Sequence, residues 1–311
     1  MIKTAIKAAI EAGAAILEIY VQDFEVEFKA DESPLTSADK AAHNIIVQAL
    51  ETTPYPVLSE ESAEIVYEER KDWKTYWLVD PLDGTKEFIK KNGEFTVNIA
   101  LIEDGRPVMG VVYAPVLQTL YCGMSAADCG TLDVGSRMTA WKATGCAGKS
   151  VDEIIEQATP LSTSNIPRST TQREAPLRVV ASRSHCNEET TAFIEALEDE
   201  FGSAERVSRG SSLKLCMVAE GSADIYPRIA PTMEWDTAAA HAVVAAAGGR
   251  VVKYDPAIPA VSYLCERWKV GGRKSGESHS TFHIPHSTKA LRALRYNKEN
   301  LLNPFFVVSR L

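Results

Sequence analysis

The sequence lacks any sustained basic run, and its formal net charge at pH 7 is −9 over 311 residues. Proteins that bind polynucleotides usually carry a surface rich in Lys and Arg. We therefore expect no polynucleotide partner. The sequence also lacks an uninterrupted apolar stretch close to the roughly 20 residues that a membrane-spanning helix needs. No membrane span is expected, and peripheral association with a membrane stays open.

Cysteine is scattered, and no two cysteines form a CxxC pair. The cysteines are Cys122, Cys129, Cys146, Cys186, Cys216 and Cys265. Such thiols suit a reducing compartment, and burial as small apolar side chains is their commonest fate. The N-terminus enters an amphipathic pattern directly, so no secretory leader is expected. These features together predict a cytoplasmic protein.

Hydrophobic periodicity predicts a mixture of helices and strands. Apolar residues recur at helical spacing over residues 2–20, and a second helix is expected after the turn and capping residues 33–39. Strand-like runs joined by a short turn predict a β-hairpin over residues 95–113. The run 177–182 has the pattern of a buried strand. We find no internal repeat.

Two regions have weak periodicity and are expected to be irregular. Residues 122–176 form the first, with one helical piece near 151–158, and an insertion at about 255–290 forms the second. The mixture of helices and hairpins predicts an α/β fold of the mixed α+β type with layered packing. We expect an N-terminal part, residues 1–176, and a C-terminal part, residues 177–311.

Three short acidic elements lie at the edges of apolar runs. Asp80 ends a strand-like run, and Asp83 follows it across a proline-containing turn. Glu60 precedes both on a short extended segment, whereas Asp236 opens an alanine-rich helix far downstream. Hard divalent cations prefer oxygen ligands, and Mg²⁺ demands near-octahedral geometry. The three elements therefore predict a single cation site.

Each of these acids has a less specific explanation when it is taken alone. A single Asp before a turn is most often a cap or a solvated loop residue, and Asp39 alone is an ordinary acid early in a helix. Their combination favours catalysis. Asp80 would bridge two cations, one shared with Glu60 and the Leu82 carbonyl, the other with Asp83 and Asp236. Two cations so placed can activate a water molecule for in-line displacement.

The residues around these acids suit phosphate chemistry. Gly84 and Thr85 begin a segment whose backbone N–H groups could point at a phosphate. Thr85 and Asp39 would orient and deprotonate the attacking water. Phosphoryl transfer needs mainly positioning and charge neutralisation, so these few residues suffice.

These motifs resemble the two hallmark motifs of the inositol monophosphatase superfamily of lithium-sensitive, magnesium-dependent phosphatases. Residues 80–85 (DPLDGT) are similar to the first motif, and residues 235–236 (WD) to the second. The chain is most similar to the branch of bacterial 3′(2′),5′-bisphosphate nucleotidases, which residues 86–89 favour. The resemblance covers most of residues 1–250 and the region of Asn303. It is carried by residues 80–91, 92–101, 111–115, 181–185, 210–214, 218–221 and 235–238.

The resemblance implies a layered αβαβα sandwich of the sugar-phosphatase type and an enzyme of sulfur metabolism with two or three Mg²⁺ ions. The enzyme would hydrolyse the 3′-phosphate of adenosine 3′,5′-bisphosphate to give AMP and phosphate, and a homodimer stays open. The implied metal ligands are Glu60, Asp80, Leu82, Asp83 and Asp236. The implied catalytic residues are Asp39, Thr85 and Glu60. The implied substrate-binding residues are Gly84, Thr85, Ser182, His185, Gly210, Lys214 and Asp236.

Two other functions remain as alternatives. A phosphatase of the same fold for inositol phosphates or other small phosphate esters would share the metal site. It would not need an adenine groove near Ser182 and His185, nor a cation for a second phosphate at Lys214. A catalytically silent phosphate-binding protein is disfavoured, because clustered carboxylates without a metal destabilise a fold.

Some of these residues also have simpler explanations. Without the resemblance, His185 would be a surface or capping histidine and Lys214 a solvated helix lysine. The 255–290 insertion contains three histidines that suggest zinc, with Cys265 as a distant fourth ligand; the three are His279, His283 and His286. We favour instead an insertion that contacts a neighbouring subunit or covers the site.

Overall fold

The computed structural model describes residues 1–22, 34–62, 65–125, 140–161, 176–181, 187–264 and 291–310. Its helices are α1 (Ile2–Tyr20), α2 (Pro34–Leu50), α3 (Tyr67–Arg70), α4 (Thr85–Ile89), α5 (Val151–Glu156), α6 (Glu188–Phe201), α7 (Leu213–Glu220) and α8 (Trp235–Ala246). Its strands are β1 (Val57–Ser59), β2 (Thr75–Asp83), β3 (Thr96–Glu103), β4 (Arg106–Ala114), β5 (Thr119–Met124), β6 (Ala140–Thr144), β7 (Thr159–Pro160), β8 (Leu177–Val180), β9 (Ala204–Val207), β10 (Ile225–Arg228), β11 (Gly249–Lys253) and β12 (Phe306–Arg310). Short 3₁₀ turns occupy Glu60–Ser62 and Ala260–Tyr263.

Strands β1 to β7 form the first sheet in chain order. The pair β1–β2 is parallel, and the later neighbours are antiparallel. The predicted hairpin over 95–113 is present as β3 and β4, whose turn places Asp104 and Gly105 at positive φ. The register between β2 and β3 shifts between Asp80 and Asp83. The irregularity lies between the two acids, since Asp80 pairs with Asn98 and Asp83 with Thr96.

The second sheet has the strand order β11-β12-β10-β8-β9. The β11–β12 and β12–β10 pairs are antiparallel, whereas β10–β8 and β8–β9 are parallel. The predicted strand at 177–182 corresponds to β8, and the last strand, β12, begins at Phe306. Pro304 precedes that start, and proline has no N–H to donate to a sheet ladder.

Alternating side chains along β2 separate two of the three hydrophobic cores. Trp77 and Val79 pack with α1 and α2 in one core, whereas Tyr76 and Leu78 pack with α7, α8 and the second sheet. The other face of the second sheet packs against α6 and the 3₁₀ turn Ala260–Tyr263. Successive residues of a strand point to opposite faces, so each sheet buries both of its faces. The layer order is αβαβα, which confirms the predicted fold.

Two glycines allow α8 to lie directly on the first sheet. A Cβ atom at Gly110 would lie 2.1 Å from the Ala239 carbonyl oxygen, and one at Gly123 would lie 2.5 Å from the Val243 Cα. The alanine-rich face of α8 completes this close approach, which positions the N-terminal end of α8 beside the acids of β2.

The expectation that residues 122–176 are irregular is wrong for their described parts. Strand β5 extends to Met124, and β6 and β7 continue the first sheet. Both faces of β5 are buried, so its sequence lacks the alternation that identifies a half-exposed strand. The helical piece near 151–158 is confirmed as α5, and residues 126–139 and 162–175 lie outside the described residues.

In the part of the chain that the structure describes, no helix combines the length and apolar character required to cross a bilayer.

Candidate active site

Carboxylates from three separate elements meet beside the end of β2. Glu60 comes from the 3₁₀ turn after β1, Asp80 from β2 and Asp236 from the first turn of α8. Carboxylate oxygens of these three residues all lie within 4.8 Å of one another. Asp80 is buried and Glu60 is exposed at the rim. The predicted convergence of these acids is therefore present in the fold.

Asp83 lies next to this group and is held from one side. Its Oδ2 atom accepts hydrogen bonds from the Ser212 N–H at 2.7 Å and the Ser212 hydroxyl at 3.0 Å. The Ser211 hydroxyl and, at 3.4 Å, the Asn98 amide also donate to it. These bonds from the described residues converge on one oxygen, which fixes the direction of the Asp83 carboxylate.

Asp236 is held in the same manner at the start of α8. Its Oδ2 atom accepts hydrogen bonds from the Thr232 hydroxyl at 2.7 Å and from the Met233 N–H at 2.9 Å. The Ser212 hydroxyl lies 2.6 Å from the Asp236 carbonyl oxygen. Ser212 therefore links the Asp83 carboxylate of the first sheet to the helix that carries Asp236.

Burial and mutual repulsion raise the pKa values of the clustered acids. Burial is the largest cause for each of them. The pKa of Asp80 is raised well above its usual value, with further contributions from Asp83 and Glu60. The pKa of Glu60 is raised to about 7 and that of Asp236 to about 6. Acids that repel one another in this way favour binding of a multivalent cation.

Asp39 lies on α2 and is nearly buried, with 9% of its surface exposed. Its Oδ1 atom is buried without a hydrogen-bond partner among the described residues. Burial, followed by the charges of Glu61 and Glu60, raises its pKa to about 8. A buried carboxylate oxygen without a partner is costly, so Asp39 suits a site that is completed by a water molecule or an ion.

A cavity of about 260 Å³ adjoins the acids. Asp83, Gly84, Thr85 and Asp236 line one part of it. Its cationic lining residues are Lys86, Lys90, Lys214 and Arg228. The cavity therefore places acidic and basic walls side by side.

Gly84 has a left-handed backbone with φ of +99°. A Cβ atom there would lie 3.2 Å from the Ser211 Cβ and 3.3 Å from Phe95. This conformation is readily available to glycine. It allows the chain to turn from β2 into α4, which begins at Thr85.

Of the remaining predicted residues, the structure describes Leu82 and Gly210. Leu82 is buried, and its N–H donates to the Asp80 Oδ1 atom at 3.1 Å. The Gly210 N–H donates to the Glu94 carboxylate at 2.9 Å, and Gly210 is not among the described residues that line the cavity. Ser182 and His185 lie outside the described residues, as do the histidines of the 255–290 insertion and Cys265.

Several residues of the site were not predicted from the sequence. Ser211 and Ser212 lie within residues 210–214, which carry the resemblance, but neither was given a role. Arg228 belongs to a strand of the second sheet. Arg228 lines the cavity, and its charge opposes the raised pKa of Asp236. No local pattern marks Arg228, because its role depends on strand pairing between distant parts of the chain.

The residues of the cluster fit a divalent cation. They offer carboxylate oxygens, which hard cations such as Mg²⁺ prefer. The raised pKa values show that the charged forms are poorly accommodated by the protein alone. The unpartnered Oδ1 atom of Asp39 adds a polar group that the protein itself leaves unsatisfied.

Comparisons with known proteins agree with this geometry. Residues 1–284 match the model of the inositol monophosphatase family, and the chain belongs to this family. Members of the family use Mg²⁺. The predicted family is confirmed.

Similar proteins include named nucleotidases. The chain is 45% identical over 255 residues to the 3′(2′),5′-bisphosphate nucleotidase CysQ of Salmonella typhimurium, covering 81% of this chain and 89% of that one. It is 46% identical, with the same coverage, to CysQ of Escherichia coli strain K12. The crystal structure of CysQ from Bacteroides thetaiotaomicron is 42% identical with a TM-score of 0.74, covering 99% of this chain and 96% of that one.

Proposed function

We propose that the chain is a Mg²⁺-dependent 3′(2′),5′-bisphosphate nucleotidase that converts adenosine 3′,5′-bisphosphate to AMP and phosphate. One observation carries the proposal: the acids Asp83 and Asp236 line the same cavity as the cations Lys214 and Arg228. A substrate with two phosphates needs cations for the reacting phosphate and a separate positive wall for the other. The name that the relatives carry supports this substrate over an inositol phosphate.

Glu60, Asp80, Asp83, Asp236 and the Leu82 carbonyl would hold two or three Mg²⁺ ions. The proximity of three of these carboxylates supports the assignment. Asp83 and Asp236 also fit it, because the hydrogen bonds that they accept from the described residues reach their Oδ2 atoms. Bound Mg²⁺ would supply a more acidic water and neutralise charge on the phosphate.

Asp39 and Thr85 would orient the attacking water and accept its proton, with Glu60 beside them. A general base works best when its pKa lies near the working pH, and the pKa of Asp39 is raised to about 8. Thr85 lines the cavity at the start of α4. Asp39 would thus lie behind the reacting centre, and Thr85 would face the substrate.

Gly84 and Thr85 would contact the reacting phosphate through backbone N–H groups. Lys214 and Arg228 would face the second phosphate as positive charges, since both side chains are strong donors to phosphate oxygens. Ser182, His185 and Gly210 complete the proposed nucleotide contacts on the basis of family resemblance. In this assignment, residues after β2 contact the phosphate that reacts. Residues of α7 and β10 contact the second phosphate and so select the substrate.

A cytoplasmic location and a place in sulfur metabolism belong to the same proposal. The cysteines Cys122, Cys146 and Cys216 are buried free thiols, which supports a reducing environment. A homodimer and the division at residue 176 are retained as proposals.

The test is product identification from adenosine 3′,5′-bisphosphate. We expect AMP and phosphate in equal amounts with Mg²⁺, none after chelation, and recovery when Mg²⁺ is restored. Asp80→Asn should lower turnover by about a hundredfold or more, which corresponds to about 2.7 kcal/mol. Asp199→Asn, which removes an exposed carboxylate of α6, is the control. Equal turnover with and without Mg²⁺ would contradict the proposal.

A further inference from the structure

Residues 296–303, here called the anchoring segment, pack against the N-terminal end of α8. Glu234, which is fully buried, accepts hydrogen bonds from the backbone N–H groups of Asn297 at 2.7 Å and Lys298 at 3.1 Å. The Lys298 ammonium group also pairs with Glu234. The Glu234 N–H in turn donates to the Leu301 carbonyl at 2.8 Å. The anchoring segment is therefore bonded to the residues just before Asp236.

Asn303 is bonded to residues on both sides of Asp236 in the sequence. It is 3% exposed. Its backbone N–H donates to the Thr232 carbonyl at 2.9 Å, and its side-chain amide donates to the Met233 carbonyl at 2.9 Å. The same amide lies 3.2 Å from the Thr237 hydroxyl oxygen. One asparagine thus holds the carbonyl groups of two consecutive residues and a side chain of α8.

The two residues held by Asn303 are those that hold the Asp236 carboxylate. Thr232 donates its hydroxyl, and Met233 its N–H, to the Asp236 Oδ2 atom. Moving either residue would rotate the Asp236 carboxylate relative to Glu60 and Asp80. Asn303 is not among the described residues that line the cavity, so its influence on the site passes through Thr232, Met233 and Thr237.

We propose that Asn303 is a positioning residue for the Asp236 metal ligand. By fixing the carbonyl groups of Thr232 and Met233 it sets the direction of the donors that hold Asp236. Groups that orient a ligand in this way commonly change metal affinity by tenfold to a hundredfold when they are removed. The inference rests on the proposed function, because it takes Asp236 to bind a divalent cation.

A purely structural role is the competing explanation. Asn303 is buried and bonded, so its loss lowers the melting temperature in either case. The two roles differ in the folded protein. A positioning residue changes the dissociation constant of the metal at temperatures where every variant is folded, whereas a structural residue does not.

The experiment is calorimetric titration of Mn²⁺ into metal-free protein, followed by Mg²⁺, without substrate. Asn303→Ala and Asn303→Asp both remove the amide donors, and the second keeps the side-chain shape. Asn300→Ala is the matched control, because Asn300 belongs to the anchoring segment but is exposed and bonds only locally to the Leu302 N–H at 2.9 Å. Circular dichroism shows that each variant is folded at the titration temperature.

We expect the Asn303 variants to raise the dissociation constant of the metal by about tenfold or more. Asn300→Ala should leave it unchanged.

Unchanged metal affinity in a folded Asn303→Ala protein would overturn the inference and leave the proposed function standing. If the wild-type protein binds neither Mn²⁺ nor Mg²⁺, both this inference and the proposed function fail.

Discussion

Asp39→Asn should change how the stability of the metal-free protein depends on pH. Asp39 is nearly buried, and its Oδ1 atom has no partner within the described residues. Burial, with the charges of Glu61 and Glu60, raises its pKa from 3.8 to about 8. The variant keeps the shape of the side chain and removes its titration.

The direction in which stability changes with pH follows from proton binding to Asp39. Between pH 3.8 and about 8 the folded protein retains the Asp39 proton, whereas the unfolded chain has released it. The stabilisation is therefore complete below the unfolded pKa and is lost as the pH rises through the folded pKa. One proton corresponds to about 1.4 kcal/mol per pH unit. Between pH 5 and pH 7 the wild type should thus lose about 2.7 kcal/mol more unfolding free energy than Asp39→Asn.

The assay is urea denaturation of metal-free wild type and Asp39→Asn at pH 5, 6 and 7, followed by circular dichroism. Asp199→Asn, an exposed aspartate of α6, controls for removal of one carboxylate. The reasoning is refuted if the difference between wild type and Asp39→Asn stays constant over this range. A constant difference would mean that Asp39 is already ionised in the folded protein at pH 5.

Three further substitutions test other parts of the account. Lys214→Ala should lower kcat/KM for adenosine 3′,5′-bisphosphate at least tenfold more than for adenosine 3′-monophosphate, about 1.4 kcal/mol; equal losses would remove Lys214 from substrate selection. Gly84→Ala should cost about 1 kcal/mol or more in urea denaturation, because a Cβ is strained at φ of +99° and crowds Ser211; an unchanged midpoint would contradict the backbone argument. Gly110→Ala should lower the unfolding free energy by about 3 kcal/mol, since its Cβ would lie 2.1 Å from the Ala239 carbonyl oxygen. A melting temperature equal to that of the wild type would mean that α8 can lift from the sheet without cost.

The acids of the site could be predicted because their signals are local. Asp80 and Asp83 stand at the end of an apolar run with a proline between them, and Asp236 opens a helix of distinct composition. The structure brings Glu60, Asp80 and Asp236 together. Their proximity depends on tertiary structure, which hydrophobic periodicity does not reveal. The combination of motifs, and its resemblance to a known family, indicated that the acids lie together.

The basic wall of the cavity could not be predicted in full. Lys214 was found only through the resemblance, and Arg228 was missed. Arg228 reaches the cavity because β10 lies in a second sheet, between β8 and β12, which are distant from it in the sequence. Hydrophobic patterning identifies a strand but not the neighbours that it acquires.

Residues 122–176 contain strands that the sequence pattern did not predict. Strand β5 is buried on both faces, and β6 is short, so neither has the alternation from which a strand is recognised. In β5 the lack of alternation reflects burial of both faces rather than irregular structure. The mixture of helices and hairpins predicted layered packing, and the αβαβα layer order was implied by the family resemblance.

The most direct measurement is the ratio of kcat/KM for adenosine 3′,5′-bisphosphate to that for inositol 1-phosphate, with Mg²⁺ at equal substrate concentrations. The account predicts a preference of about a hundredfold or more for the nucleotide, which corresponds to about 2.7 kcal/mol in the transition state. The contrasting pair of acidic and basic cavity walls is the reason for that preference. Equal values, or a preference for the inositol ester, would contradict the nucleotidase assignment.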